Sequence, residues 1–256
     1  MISEYAMIDS SAKLAKGVSV GPGTVIGADV EIGENTWIGP HAVIEGPTKI
    51  GKNNKIFQFS SVGDAPQDVT YQCEPTRLEI GDNNTIREYS MISRGTVKGG
   101  GITRIGDHNY LMAHVHVGHD CMVGNHNIMV NFSALSGHVT ICDYVNIGAY
   151  AAIHQFCHVG DYAFIARATY VTKDVLPYVM IAGQTTAACG INTVGLRRRG
   201  FSSTAIDTLR RAYKIIYRKG LTVQQALAEL ELLQVDCAEV IPLIEALNQS
   251  TRGITR

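Results

Sequence analysis

Aliphatic side chains recur at every sixth position through most of this chain. Ile8, Leu14, Val20, Ile26, Ile32, Ile38, Ile44, Ile50, Ile56 and Val62 share one beat, and Ile80, Ile86 and Ile92 resume it after a break. Ile105, Leu111, Val117, Val123, Met129, Leu135, Ile141, Ile147, Ile153, Val159, Ile165 and Val171 carry it on. Two places before the beat stand mostly small or β-branched residues, such as Val18, Thr24, Val30, Thr36, Ala42 and Thr48. Gly often follows it, as at Gly21, Gly27, Gly33, Gly39 and Gly51. A helix would smear a period of six around its whole surface. Short strands joined by turns hold it on one inner face, with glycine easing the corners. Three hexads closing a triangle give a coil of about eighteen residues that pairs with the coils above and below it. The pattern predicts a mainly β protein, a parallel β-helical prism roughly 40 Å tall at ~4.8 Å per strand.

Two breaks in the beat, at about 64–78 and 95–103, predict loops leaving the prism, the usual place for specialised surface in a regular solenoid. Beyond Val171 the beat weakens, and Pro177 and Gly183 mark a change of structure. From Phe201 the pattern is helical. Ser202 or Ser203 caps a helix through Ile206, Leu209, Tyr213, Ile216 and Tyr217, with Gly220 as its stop. Thr222 and Gln225 have capping-box spacing and open a second helix through Leu227, Leu230 and Leu233. A third is expected at about 238–248. The domain division is 1–190 for the prism and 191–256 for a C-terminal α-helical domain, whose helices would cap the open end of the sheets. The repeat resembles that of hexapeptide-repeat proteins, which implies a left-handed coil against the usual right-handed crossover preference.

Composition narrows the function. With 22 Lys and Arg against 23 Asp and Glu, the chain is near neutral, which argues against nucleic acid as the principal partner. Its six cysteines are scattered without C-x-x-C spacing, as expected of reduced thiols in a cytoplasmic protein. No stretch approaches the length of a membrane span, and the N-terminus lacks a signal-peptide pattern, so no stable membrane insertion is expected.

Histidine is concentrated in the middle: His108, His114, His116, His119, His126, His138, His154 and His158, with only His41 elsewhere. The eighteen-residue coil predicts what stacks on what. Asp120 falls under His138, His119 under Gly137 and then Gln155, and Gly118 lies two coils from His154. These residues would share one side of the prism over three coils, the outer two roughly 10 Å apart. A His beside a carboxylate is held in one tautomer and supported as an imidazolium, and a Gly N–H one coil away would stabilise an oxyanion. Inter-coil hydrogen bonding is the plainer role for His126 and His158. The spacing of His114, His116 and His119 also leaves open a zinc site like that of the γ-class carbonic anhydrases, although that family draws a ligand from a coil well upstream and no His lies between His41 and His108.

Several motifs are more specific than the repeat: Gln67-Asp68, Glu74-Pro75-Thr76-Arg77, Arg94-Gly95-Thr96, Gly118-His119-Asp120-Cys121, Ser136-Gly137-His138, His154-Gln155-Phe156, the run Gly195 to Phe201, and Ser250 to Ile254. On these, nearly end to end, the chain resembles the UDP-N-acetylglucosamine O-acyltransferase family of lipid A biosynthesis. The resemblance implies transfer of a 3-hydroxyacyl chain from the phosphopantetheine of acyl carrier protein to the sugar 3-hydroxyl, with no further cofactor and no metal, in a homotrimer with clefts between prisms. It implies His119 as general base, Asp120 as its orienter and Gly137 N–H as oxyanion donor. Asp68, His116, His138, His154 and Gln155 would contact sugar or acyl chain, and Asn192, Arg198 and Arg199 the nucleotide. The basic run Arg197, Arg198, Arg199, Arg210, Arg211, Lys214, Arg218 and Lys219 would receive the carrier protein or form a solvated face.

Four positions depart from the family. Thr70 stands where Lys is usual, Ser93 where His is, Val194 where Glu is frequent, and Arg167 where small residues line the acyl groove. The first two suggest an altered acceptor, such as a 3-amino sugar nucleotide, and Arg167 a shorter acyl chain. The related N-acyltransferases carry a uridine-binding domain ahead of their repeats, and here the beat already starts at Ile8. A non-catalytic scaffold is the remaining alternative.

Overall fold

The aliphatic beat points inward. In the computed structural model, which describes residues 1–183 and 186–256, Ile26, Ile38, Ile44, Ile50, Ile56, Ile86, Ile92, Ile105, Leu111, Met129 and Leu135 are among the largest fully buried side chains. Strands of two to five residues stack into three sheets with nine, eight and ten strands. The first sheet runs from Met7–Ile8 to Tyr170–Val171, the second from Lys13–Leu14 to His158–Val159, and the third from Ser19–Val20 to the hairpin strand Ala187–Ile191. Every pairing is parallel except the last, Val179–Ala182 with Ala187–Ile191. The eighteen-residue register holds as expected, for example Val117↔Leu135↔Ile153. It survives both insertions: Val62 pairs with Ile92, and Ile80 with Ile105. The fold is the expected left-handed parallel β-helix with helices at its C-terminal end.

Corners carry much of the remaining order. Non-glycine residues occupy the left-handed region there, including His114, Asp120, His126, His138, Tyr144 and Tyr162 at φ between 58° and 62°. Such a backbone costs free energy for an L-residue, and ring stacking between coils offsets it. Between the third and first sheets, His41, Phe59, Tyr89, His114, Phe132 and Tyr150 stack in sequence with centroids 4.5–5.6 Å apart. Between the second and third, His108, His126, Tyr144, Tyr162 and Tyr178 do the same. The edge between first and second sheets holds Asp120, His138 and Phe156. Inside the prism a buried ladder links Asn54, Asn84, Asn109 and Asn127, each side-chain carbonyl accepting the backbone N–H of the next rung.

The tail contains four α-helices: α1 (Thr193–Arg198), α2 (Ser203–Arg218), α3 (Val223–Leu233) and α4 (Ile241–Gln249). Ser202 caps α2 and the Thr222–Gln225 box opens α3, as their spacing predicts. The expected third helix is a 3-10 turn, Ala238–Val240, leading into α4. The sequence reading missed α1 and the antiparallel hairpin, which are too short to show a period. Helix α2 packs on the hairpin, with Tyr213 Oη donating to the Ala188 carbonyl at 2.7 Å.

Candidate active site

At the edge between the first and second sheets the chain leaves strand His116–Val117 and turns through His119 and Asp120. Asp120 takes the left-handed corner, which throws its carboxylate inward while His119 stays at the rim. Their side chains are 1% and 18% exposed. Nδ1 of His119 lies 2.8 Å from Oδ2 of Asp120, so the second ring nitrogen, Nε2, is turned away from the carboxylate and lies beside Gly137. One coil on, His138 sets its ring edge-to-face with His119 at 5.2 Å, Nε2 3.7 Å from the same carboxylate oxygen. Phe156 stacks on His138 a further coil along, at 4.5 Å. Gly137 lies against the His119 ring: a Cβ there would fall 2.7 Å from Nε2. Among the described residues, the backbone N–H of Gly137 makes no backbone hydrogen bond, unlike that of His138, which donates to the His119 carbonyl at 2.9 Å.

The surroundings tune the histidines. Burial, with repulsion from His119 added, pushes His116 below the ordinary imidazole range. Burial lowers His138 too, although Asp120 opposes it. Cys121 follows Asp120 in the chain but its thiol is buried and pushed up to about 12, which removes it as a nucleophile. Asp68, on the first insertion, accepts from the Thr70 N–H and hydroxyl at 2.9 and 2.8 Å, and these bonds hold its carboxyl below the usual range. The charges of Lys98 and His119 act on it in the same direction.

The comparisons with known proteins agree across the whole length. Residues 174–255 match the family described as UDP-N-acetylglucosamine O-acyltransferase, domain 2, and residues 29–63 the bacterial transferase hexapeptide repeat. The acyl-[acyl-carrier-protein]–UDP-N-acetylglucosamine O-acyltransferase of Stutzerimonas stutzeri is 50% identical over 256 residues, covering 100% of this chain and 99% of that protein. The solved LpxA of Acinetobacter baumannii superposes with a TM-score of 0.98 at 46% identity, covering 100% and 99% of the two chains. The Arabidopsis UDP-N-acetylglucosamine acyltransferase reaches 0.82 at 33% identity, over 100% of both. The chain belongs to the acyl-[acyl-carrier-protein]–UDP-N-acetylglucosamine O-acyltransferase family. It is an acyltransferase.

Within this acyltransferase the candidate residues fall into two groups. His116, His119, Asp120, Gly137, His138 and Gln155 gather at the edge described above, and Asp68 is tied to the second insertion through Thr70 and Lys98. His154 lies at the expected register but turns toward the C-terminal segment, Nδ1 3.5 Å from an Arg252 nitrogen and its ring 6.2 Å from Tyr170. Asn192 and Arg199 occupy the next edge instead: the Asn192 amide donates to the Tyr162 carbonyl at 3.0 Å, and the Arg199 guanidinium lies 4.5 Å over the Tyr144 ring. The other end of the Asn192 amide caps α1 through the Gly195 N–H. That side chain is engaged in holding the helix that carries Arg198 and Arg199.

A zinc site built on His114, His116 and His119 is not formed. His114 stacks between Tyr89 and Phe132 on a different edge. His119, Asp120 and His138 do bring one donor atom each within 4.8 Å of one another, the one such group among the described residues. Their donors are turned on each other, however, with the Asp120 carboxylate also gripped by Thr96.

Sequence reasoning gave no role to three residues that the structure brings here. Thr96 donates to both oxygens of Asp120, Thr103 accepts the Asp120 N–H at 2.8 Å, and Lys98 sets its ammonium 2.8 Å from the Thr70 hydroxyl. All three belong to the second insertion or its return strand. Arg94 ties down the first insertion, donating to the Gly46 and Gly63 carbonyls and to Tyr71. Arg167 is exposed, and Ser93 is buried.

Proposed function

We propose that this acyltransferase moves a 3-hydroxyacyl chain from acyl carrier protein to the 3-hydroxyl of UDP-N-acetylglucosamine, the reaction that opens lipid A biosynthesis, with His119 as its base. The observation that carries the mechanism is the 2.8 Å contact from His119 Nδ1 to a buried Asp120, which leaves Nε2 uncommitted to the carboxylate. Nε2 takes the proton of the sugar hydroxyl as its oxygen bonds to the thioester carbon. The ionised Asp120 supports the imidazolium without taking its proton. The carbonyl oxygen gains the negative charge, and the Gly137 N–H receives it. As the carbonyl re-forms, the carbon–sulfur bond breaks, and the imidazolium returns its proton to the departing phosphopantetheine thiolate.

Asp68, His116, His138 and Gln155 surround the acceptor and the start of the acyl chain, with His154 farther along the same edge. Arg198 and Arg199 face the nucleotide from α1, which Asn192 caps. Because these two sets lie on neighbouring edges of one prism, a homotrimer that packs one edge against the next joins them in a shared cleft. Acyl carrier protein docks on the helical part, 191–256. Arg210 pairs with Asp207, Lys219 with Glu229, and Arg218 bonds Tyr213. Arg211 and Lys214 on the same helix remain the basic groups for an acidic partner. A reaction between acyl carrier protein and a sugar nucleotide belongs in the cytoplasm, and the six free cysteines suit a reducing compartment. Among the described residues no helix is long and apolar enough to cross a membrane.

Lys98 bears on the acceptor. Although Thr70 stands where Lys is usual, the Lys98 ammonium reaches the Thr70 hydroxyl, so the cleft keeps a cation and the hydroxyl acceptor is favoured over a 3-amino sugar. The test is transfer from acyl carrier proteins loaded with 3-hydroxyacyl chains of several lengths, offered UDP-N-acetylglucosamine and its 3-amino analogue separately. His119→Ala should fold and lose at least a hundredfold in kcat. A folded His119→Ala trimer with full activity would sink the mechanism, and preference for the amine would overturn the acceptor.

A further inference from the structure

Two imidazoles compete for one carboxylate oxygen. Oδ2 of Asp120 lies 2.8 Å from His119 Nδ1 and 3.7 Å from His138 Nε2, the two rings edge-to-face at 5.2 Å. A carboxylate free to turn about its terminal bond would serve either ring, and only one of them can then be the base. The side chain is not free. Thr96 donates its backbone N–H to Oδ1 at 2.8 Å and its hydroxyl to Oδ2 at 2.6 Å, a two-point grip that fixes the carboxylate plane. Gly99 closes over the same group so tightly that a methyl there would overlap the carboxyl carbon. The Asp120 N–H is held in turn by the Thr103 hydroxyl. Thr96, Asp120 and Thr103 are all buried.

We propose that Thr96 is a positioning residue for the reaction: its hydroxyl and N–H lock the Asp120 carboxylate so that it serves His119 and not His138. The second insertion is then part of the catalytic machinery through Thr96, a residue that does not touch the substrate. This rests on reading His119 as the base. It also explains why the insertion leaves the prism where it does, since Thr96 follows a strand one coil short of the dyad, which puts its hydroxyl level with the Asp120 corner.

The test compares Thr96→Val, which keeps shape and N–H but removes the hydroxyl, with Thr96→Ser, which restores it, and with His119→Ala. Thr96→Val should lower kcat ten- to a hundredfold, in keeping with loss of one hydrogen bond to a charged group, with KM for both substrates within twofold of wild type. Thr96→Ser should return kcat to within about threefold. In the protein labelled at histidine, the downfield Nδ1–H proton of His119, identified by its loss in His119→Ala, should persist in Thr96→Ser and shift or broaden in Thr96→Val. Wild-type kcat in Thr96→Val, or equal impairment of the Val and Ser variants with KM and melting temperature also moved, would overturn the proposal. An active His119→Ala would instead overturn the reading beneath it.

Discussion

Replacing Gly137 by alanine tests the site at its tightest point. The φ of Gly137 lies outside the left-handed region, so alanine meets no backbone strain there. The added Cβ would sit 2.5 Å from Cε1, 2.7 Å from Nε2 and 3.1 Å from Nδ1 of His119. Carbon contacts are comfortable at about 3.5–4.0 Å, so the imidazole must move away by roughly 1 Å or more. The ring has somewhere to go, because the His119 side chain is partly exposed, and the backbone need not follow. A displacement near 1 Å at the reacting group is worth about a hundredfold in rate, or ~2.7 kcal/mol in the barrier. Gly137→Ala should therefore lose about a hundredfold in kcat while its melting temperature stays within a few degrees of wild type. The assay is steady-state transfer from 3-hydroxyacyl carrier protein to UDP-N-acetylglucosamine, beside thermal unfolding of the same preparations. Gly118→Ala is the control: its Cβ would meet the Leu135 carbonyl oxygen at 2.9 Å and the Gly137 nitrogen at 3.0 Å, both backbone. That variant should wedge two coils apart and lose stability. A Gly137→Ala enzyme with wild-type kcat would refute the placement of the base.

Two further outcomes follow from the geometry. Lys98→Met removes the ammonium over Thr70 and should raise KM for the sugar nucleotide up to about fivefold, the worth of ~1 kcal/mol for an exposed charge contact, with kcat little changed; an unaltered KM would remove Lys98 from the acceptor site. The buried His116 and His138 resist protonation in the folded protein. As pH falls through about 6.5 the unfolded chain binds protons there that the folded chain does not, so stability must fall with falling pH. Melting temperature should drop from pH 8 to pH 5.5, and the drop should shrink in the His116→Asn, His138→Asn double variant; an equal drop in that variant would show that other groups set the slope.

How far the sequence could be read depended on the range of the contacts. A period of six with a fixed coil length places any two residues of the regular prism, which is why Asp120 and His138, or Gly137 and His119, could be put together from numbers alone. The insertions break that arithmetic. Thr96 is 24 residues from Asp120, a separation that no coil length predicts, and Lys98 meets Thr70 only because two loops fold toward each other. His154 sits at its expected register, just past strand Ala152–Ile153, but its ring is drawn to Arg252, 98 residues away. The helical tail read well where caps and apolar spacing were present. It read poorly at α1, where six residues show no period and the Asn192 cap is followed at its third place by Gly195 rather than the acid or amide of a capping box.

The register that survives both insertions has a consequence for how such a protein can be altered. A loop that leaves and re-enters at a corner adds no phase error, so the prism itself is indifferent to its length or content. What restrains these loops is a small number of polar clasps: Arg94 on the Gly46 and Gly63 carbonyls for one, and Thr96 on Asp120 for the other. The heritable module is thus a loop together with its distant clasp. A graft that moves residues 95–103 onto another hexad scaffold without an acid at the matching corner would transplant the shape and leave its anchorage behind.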